Sequence, residues 1–200
     1  MFIPLERRDA FSVILRGAGR QHLTKVRGST KSLNVQREIL EALLILMSQK
    51  RFQDISITEL CRKAGTSRMA FYRNFNFLLD VLVGHLDTLF EQYVEEMSSM
   101  SFKGAFDFAL KLFEYHERHK RFLKLLMKSG LQTILLERFD KYLVKIFENL
   151  LHREIQEFSE SYFRVEFISG GLYKILVAWL SQNSRQPANA MAKIVASFFR

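Results

Sequence analysis

Two residue types that constrain folding are scarce in this chain. Of its 200 residues, Cys61 is the single cysteine, and Pro4 and Pro187 are the two prolines. A single cysteine cannot form an internal disulfide, so we expect a reduced, cytoplasmic setting and a small core-packing role for Cys61. Because proline interrupts helices, residues 5–186 are free to form long ones.

The chain also lacks the patterns of a membrane protein or an enzyme. Its apolar run LLILM, residues 43–47, is far too short to cross a bilayer, and no signal-peptide pattern is present. The one glycine pair, Gly170-Gly171, lies in an apolar segment and forms no phosphate-binding loop. We therefore expect neither catalysis nor a cofactor, and no membrane partner.

The histidines give no sign of a metal site. They are scattered along the sequence and make no tight ligand group with Cys61. His116 and His119 lie in the charged stretch EYHERHKR, which predicts a solvated helix face. We expect no bound metal.

Apolar residues at helical spacing are abundant, and they predict an all-α fold. They recur at intervals of three and four, without strand alternation or an internal repeat. With two short helices between residues 56 and 75, the pattern predicts about nine helices. The others are expected at about 32–49, 77–97, 102–113, 119–128, 131–157, 161–183 and 188–199.

Residues 56–75, SITELCRKAGTSRMAFYRNF, have the pattern of a DNA-binding helix-turn-helix. Ser56 and Glu59 are spaced as a capping box for a first short helix, and Gly65 suits the left-handed position that ends it. Ser67 can cap a second helix, whose first side chains would then be presented to a major groove. Taken alone, the pattern also fits an ordinary helical hairpin.

Positive charge is concentrated around this motif. The net charge is +9, and residues 1–75 hold 14 Lys and Arg against 6 Asp and Glu, whereas residues 76–200 hold 16 against 15. This asymmetry is typical of a phosphate-binding module joined to a neutral body, although a solvated surface or a basic anchor would also produce it. Residues 1–30 lack sustained periodicity and predict a disordered arm that either wraps DNA or is a dispensable leader.

The chain resembles the tetracycline-repressor (TetR) family of transcriptional regulators. The resemblance lies in RFQDISITELCRKAGTSRMAFYRNF, with Tyr72 and Phe75 at the family's spacing, and in the long helix that follows. Further likeness in HKRFLKLLMKSG and FISGGLYKILVAWL extends it to about residues 32–199.

The resemblance implies a homodimer with two domains in each subunit. An N-terminal three-helix helix-turn-helix domain would span residues 31–76, and a C-terminal helical bundle for effector binding and dimerisation would span 77–200. The implied partners are a palindromic operator in double-stranded DNA and an unknown small-molecule effector that releases a repressor. Leu78 stands where the family usually has a phosphate-binding lysine, so an adaptor or co-activator with weakened DNA binding is the alternative.

Carried over position by position, the resemblance implies DNA contacts from eight residues. The three residues at the start of the second motif helix match base-reading positions. The three residues that follow Phe71 match positions that contact the DNA backbone. The two serines match helix caps that also touch phosphate. The eight are Ser56, Ser67, Arg68, Met69, Ala70, Tyr72, Arg73 and Asn74.

Two further sets of candidates lie in the C-terminal part. Its Phe content fits an apolar effector cavity as well as plain core packing, and the candidate lining residues are Phe106, Phe113, Met127, Phe139, Tyr142 and Phe167. Residues 161–183 are apolar around most of the helix, which predicts a four-helix dimer interface with the last helix, or else a monomeric core hairpin. The glycine pair Gly170-Gly171 suggests a close approach of two helices. The candidate residues of the dimer interface are Ile168, Gly171, Leu172, Ile175, Trp179, Met191 and Val195.

Overall fold

The protein is described here by a computed structural model that covers residues 30–151, 155–156, 159–182 and 185–199. These residues form nine α-helices and one short 3₁₀ turn, Phe52–Asp54, with no strand among them. The helices are α1 Thr30–Gln49, α2 Ile57–Lys63, α3 Arg68–Tyr72, α4 Leu78–Ser98, α5 Ala105–Arg118, α6 Lys120–Lys128, α7 Gln132–Leu151, α8 Glu160–Ser181 and α9 Ala188–Ser197.

The predicted all-α class is confirmed, and most predicted helices lie within a few residues of the observed ones. The expected end of the seventh helix near Glu157 is wrong, since residues 155 and 156 are not helical. The predicted arm, residues 1–30, lies outside the described residues apart from Thr30. The domain boundaries at 31–76 and 77–200 stay predictions.

The chain divides into two compact units. One contains residues 30–89 and 121–135, and the other contains residues 90–120 and 136–199. We call them the motif unit, because it holds α2 and α3, and the body unit. In the motif unit, α1, α2 and α3 pack on one another around fully buried side chains, among them Ile39, Leu60 and Phe71.

In the body unit, α9 packs along α5, and the end of α8 is bonded to the start of α9. Trp179 is buried, and its indole N–H donates to the backbone oxygen of Gln186 at 2.8 Å. The start of α8 is capped by Ser159, whose Oγ accepts from the backbone N–H of Tyr162 at 3.2 Å. Of the helices that the structure describes, none is both long and apolar enough to span a membrane.

Candidate nucleic-acid interface

The two short helices of the motif begin where the sequence predicts. Ser56 Oγ accepts from the backbone N–H of Glu59 at 3.2 Å, and Ser67 Oγ accepts from that of Ala70 at 3.1 Å. Each bond satisfies one of the free N–H groups at a helix start. Both predicted caps are therefore confirmed as caps, while their contact with phosphate stays a prediction.

The turn between the helices depends on Gly65. Its φ is +65°, and Thr66 donates its N–H to the backbone oxygen of Cys61 at 3.0 Å, which closes the end of α2. Cys61 itself is buried, as expected, and burial raises the pKa of its thiol. The turn fixes the direction in which α3 leaves α2.

The α3 helix exposes the side chains expected to meet DNA. Arg68 and Arg73 are exposed, and Met69 and Tyr72 are 66% and 48% exposed. Phe71 is fully buried, as expected for the residue that packs the motif. A solvent-facing methionine and tyrosine between two arginines are unusual for a plain core hairpin, because its apolar residues would face inward.

The positive charges around α3 form no ion pairs within the described residues. No Asp or Glu occurs between Leu60 and Leu79. Within the part of the chain that the structure describes, no ion pair involves any of the four cations of this stretch, which are Arg62, Lys63, Arg68 and Arg73. All four are exposed, so their charges are available to phosphate.

Two nearby cations are already paired. Lys50 forms a salt bridge with Glu59, and this bond is the main reason that the pKa of Glu59 is lowered. Arg51 bonds both carboxylate oxygens of Asp54, at 2.8 and 3.2 Å. Arg51 is therefore less available than the four unpaired cations to replace a missing phosphate contact.

Asn74 is bonded within the motif unit. Its Oδ1 accepts from Ser32 Oγ at 2.7 Å and from Gln36 Nε2 at 3.1 Å, and its Nδ2 donates to the backbone oxygen of Ala70 at 2.8 Å. These bonds join α1 to the end of α3. Asn74 thus has a positioning role that the sequence did not reveal, and the expected phosphate contact stays a prediction.

The start of α4 differs from the basic arrangement implied by the resemblance. Phe77 is 70% exposed, and Leu78 is half-buried. Asp80 Oδ2 accepts from the backbone N–H groups of Asn76 and Phe77 at 2.8 and 2.9 Å. Leu78, which stands where the family usually has a phosphate-binding lysine, is therefore flanked by an exposed phenylalanine and an acidic cap.

An aromatic cluster lies inside the body unit. It brings together rings from α4, α5, α7 and α8, and every one of them is buried. Its members are Phe90, Tyr93, Tyr115, His116, Phe139, Tyr142 and Tyr173.

The expectation that His116 is solvated is wrong. His116 is 2% exposed, and Tyr115 beside it is 4% exposed. The charged neighbours concealed the helical period, because His116 lies four residues after Leu112 and three after Phe113, which are both fully buried. His119, in contrast, is only partly buried.

The six effector-pocket candidates are not all brought together. Phe139 and Tyr142 belong to the aromatic cluster, whereas Phe113 is buried against Trp179. Phe106 and Met127 are half-buried, and Met127 belongs to the motif unit. Phe167 is 82% exposed, so its expected place in an interior cavity is wrong. A shallow apolar depression in the motif unit, lined in part by Leu82 and Leu126, contains none of the six.

Five of the seven dimer-interface candidates are buried within their own subunit, so their expected place at the interface is wrong, whereas the other two stay predictions. Ile175 is half-buried and Gly171 is exposed. The other five are buried within the body unit: Ile168, Leu172, Trp179, Met191 and Val195. The close approach expected at the glycine pair is not made within the described residues, since a Cβ on either glycine would meet no atom within 4 Å.

A different face of α8 is exposed and apolar. Phe163, Phe167, Gly170, Lys174 and Ala178 are all exposed and follow one another at intervals of three and four. They therefore form one stripe along the helix.

The last helix carries a similar exposed face. Ile194 and Phe198 are exposed and lie four residues apart on α9. We use the name outer face for these two residues and the α8 stripe taken together.

The described residues contain no group of three or more His, Cys, Asp or Glu side chains that could hold a metal ion.

Comparisons with known proteins identify the C-terminal region. Residues 103–200 match the TetR-type family described as the C-terminal region of transcriptional regulators. No protein of curated function matches the chain.

Solved structures share the fold. The crystal structure of Lin0861 from Listeria innocua aligns with a TM-score of 0.73 at 15% identity, covering 88% of this chain and 97% of that one. The fatty acid degradation regulator FadR from Bacillus halodurans aligns with a TM-score of 0.56 at 15% identity, covering 88% and 96%.

Proposed function

Because this chain belongs to the TetR family of transcriptional regulators, we propose that it binds a specific DNA operator through α2 and α3. Arg68, Met69 and Ala70 would read bases in the major groove. Tyr72 and Arg73, with the capped starts of both helices at Ser56 and Ser67, would hold the DNA backbone.

The observation that carries this proposal is the set of unpaired cations around exposed side chains of α3. Four exposed cations and no acidic residue lie between Leu60 and Leu79. Each phosphate that they neutralise releases counterions, so binding should weaken steeply as salt rises. The bonds of Asn74 to α1 support a fixed orientation of α3, which base recognition requires.

We also propose that the regulator works as a homodimer through the outer face. Two exposed phenylalanines on α8 and one on α9 would be buried by the same surface of a second subunit, and the glycine pair would let the two helices approach closely. Two-fold symmetry then matches a palindromic operator.

The mode of regulation that fits this arrangement is repression in the cytoplasm, released by a small molecule bound in the body unit. The start of α4 supports a second candidate, an adaptor or co-activator. There exposed Phe77 offers an apolar surface for a protein, and an acidic cap lies beside it in place of a cation for phosphate.

The deciding experiment is selection of genomic DNA fragments by the purified full chain, followed by titration of a bound fragment at two salt concentrations. The regulator should enrich a short palindrome, and the slope of log K against log salt should correspond to several phosphate contacts. Enrichment of no sequence, with equally weak binding to all fragments, would contradict the proposal and favour the adaptor.

A further inference from the structure

Two buried polar atoms in the aromatic cluster have no hydrogen-bond partner among the described residues. They are the hydroxyl of Tyr93 and Nε2 of His116. Both side chains are almost completely buried, and their ring centroids are 5.4 Å apart. Leaving such groups unpaired is costly, because burial removes the hydrogen bonds they would make with water.

The bonding of the histidine fixes what its free nitrogen can do. His116 Nδ1 lies 2.7 Å from the backbone oxygen of Leu112 and must donate to it. Burial lowers the pKa of His116 to about 4, so the ring is neutral at physiological pH. Nε2 then carries a lone pair and accepts, while the hydroxyl of Tyr93 donates or accepts.

The surroundings of these atoms are rings. Phe90, His116 and Phe139 form a triangle with centroid separations of 5.9, 6.3 and 6.4 Å. These distances lie in the upper half of the range for aromatic contacts, about 4.5–7 Å. Tyr142 stacks on Phe90, and the two ring centroids lie 5.2 Å apart.

We propose that the aromatic cluster is a binding site for an uncharged ring compound with one hydroxyl group, of the phenol class. The hydroxyl would donate to His116 Nε2 and accept from Tyr93, and the ring would stack among Phe90, Phe139 and Tyr142. Binding requires the rings of the triangle to rotate apart. Only the consequence for DNA, release of the operator, rests on the proposed function.

The site discriminates by charge. At the two unpaired atoms a carboxylate would meet only uncharged groups, a neutral histidine and a tyrosine hydroxyl, and its desolvation would go uncompensated there. A ring without a hydroxyl would leave both polar atoms unpaired. The hydroxyl is therefore the feature that the cluster recognises.

The test is isothermal titration calorimetry of the full chain, without DNA, using 4-methylphenol, toluene and benzoate. We expect saturable binding of one 4-methylphenol per subunit, with toluene and benzoate each bound about tenfold more weakly or not at all. Tyr93→Phe and His116→Phe should each weaken 4-methylphenol about tenfold and leave the weak binding of toluene unchanged.

The matched control is His85→Phe, which alters a histidine of the motif unit and should leave binding intact. Without ligand, His116→Phe should raise the melting temperature by about 2–4 °C, because it removes an unpaired buried polar atom.

Equal binding of toluene and 4-methylphenol would overturn the proposal, as would no binding of 4-methylphenol by the unmodified chain. A lower melting temperature of His116→Phe without any ligand binding would mean that an ordered water satisfies the two atoms. Because no DNA is present, failure here is distinguishable from failure to select an operator.

Discussion

At the scale of single residues, we expect Arg68 to recognise bases and Tyr72 to contact only the DNA backbone. Both are exposed on α3, and Arg68 directly follows the Ser67 cap. Arg68→Ala should lower operator affinity by ~1–3 kcal/mol and relax the base preference at one position in each half-site. Competitive binding selection on randomised operators measures both effects.

Tyr72→Phe is the comparison variant, since it removes only a hydroxyl. It should weaken binding to all sequences alike, because phosphate contacts position the protein without reading bases. An Arg68→Ala protein whose base preferences match those of the unmodified chain would show that Arg68 does not read the operator.

Gly65 can be tested against a second glycine with equal space around it. A Cβ would meet no atom within 4 Å at either Gly65 or Gly84, but only Gly65 has a positive φ, of +65°. Gly65→Ala should therefore lower the free energy of unfolding by about 1–2 kcal/mol through backbone strain alone. Gly84→Ala, inside α4, should raise it by about 0.4–1 kcal/mol. Urea unfolding of both variants checks the opposite signs, and a loss of stability in both would contradict this account.

At the scale of elements, the orientation of α3 depends on its link to α1 through Asn74. Asn74→Ala removes three hydrogen bonds, two of which link the end of α3 to Ser32 and Gln36 of α1. We expect a loss of about 1–3 kcal/mol in the free energy of unfolding, with weaker binding to every DNA sequence. Thermal unfolding and operator titration measure the two effects.

Asn76→Ala is the matched control, because Asn76 is exposed and donates only its backbone N–H to Asp80. It should change the free energy of unfolding by no more than about 0.5 kcal/mol. If Asn74→Ala were equally mild, the three bonds would not hold α3 in place.

Some features of the motif could be predicted from local sequence pattern, and others could not. Ser56, Ser67 and Gly65 act on backbone groups within a few residues, so their positions were predictable from local pattern. Asn74 bonds to residues 38 and 42 positions earlier, and no local pattern reports such a partner.

Periodicity likewise identified α8 as an apolar helix without assigning its faces. Buried Leu172 and exposed Phe167 are both apolar, so composition cannot tell which side packs in its own subunit. His116 was missed for a related reason, since a charged neighbourhood along the chain conceals burial against other helices.

At the scale of the whole molecule, we propose that the outer face joins two subunits. Phe167, at 82% exposed, should be buried by the second subunit, whose own Phe167 is buried in turn. Phe167→Glu would place a charge at each of the two symmetric positions and remove two apolar side chains worth ~1.5–3 kcal/mol each. The dimer dissociation constant should rise roughly 100-fold or more, measured by sedimentation velocity over a concentration series. Operator affinity should fall with it, although α2 and α3 are untouched, because a monomer reads only half of a palindrome.

Ile45→Glu, a similar change at an exposed position on α1, should leave the dimer intact. A Phe167→Glu protein that sediments as a dimer at every concentration would show that the outer face does not join the subunits.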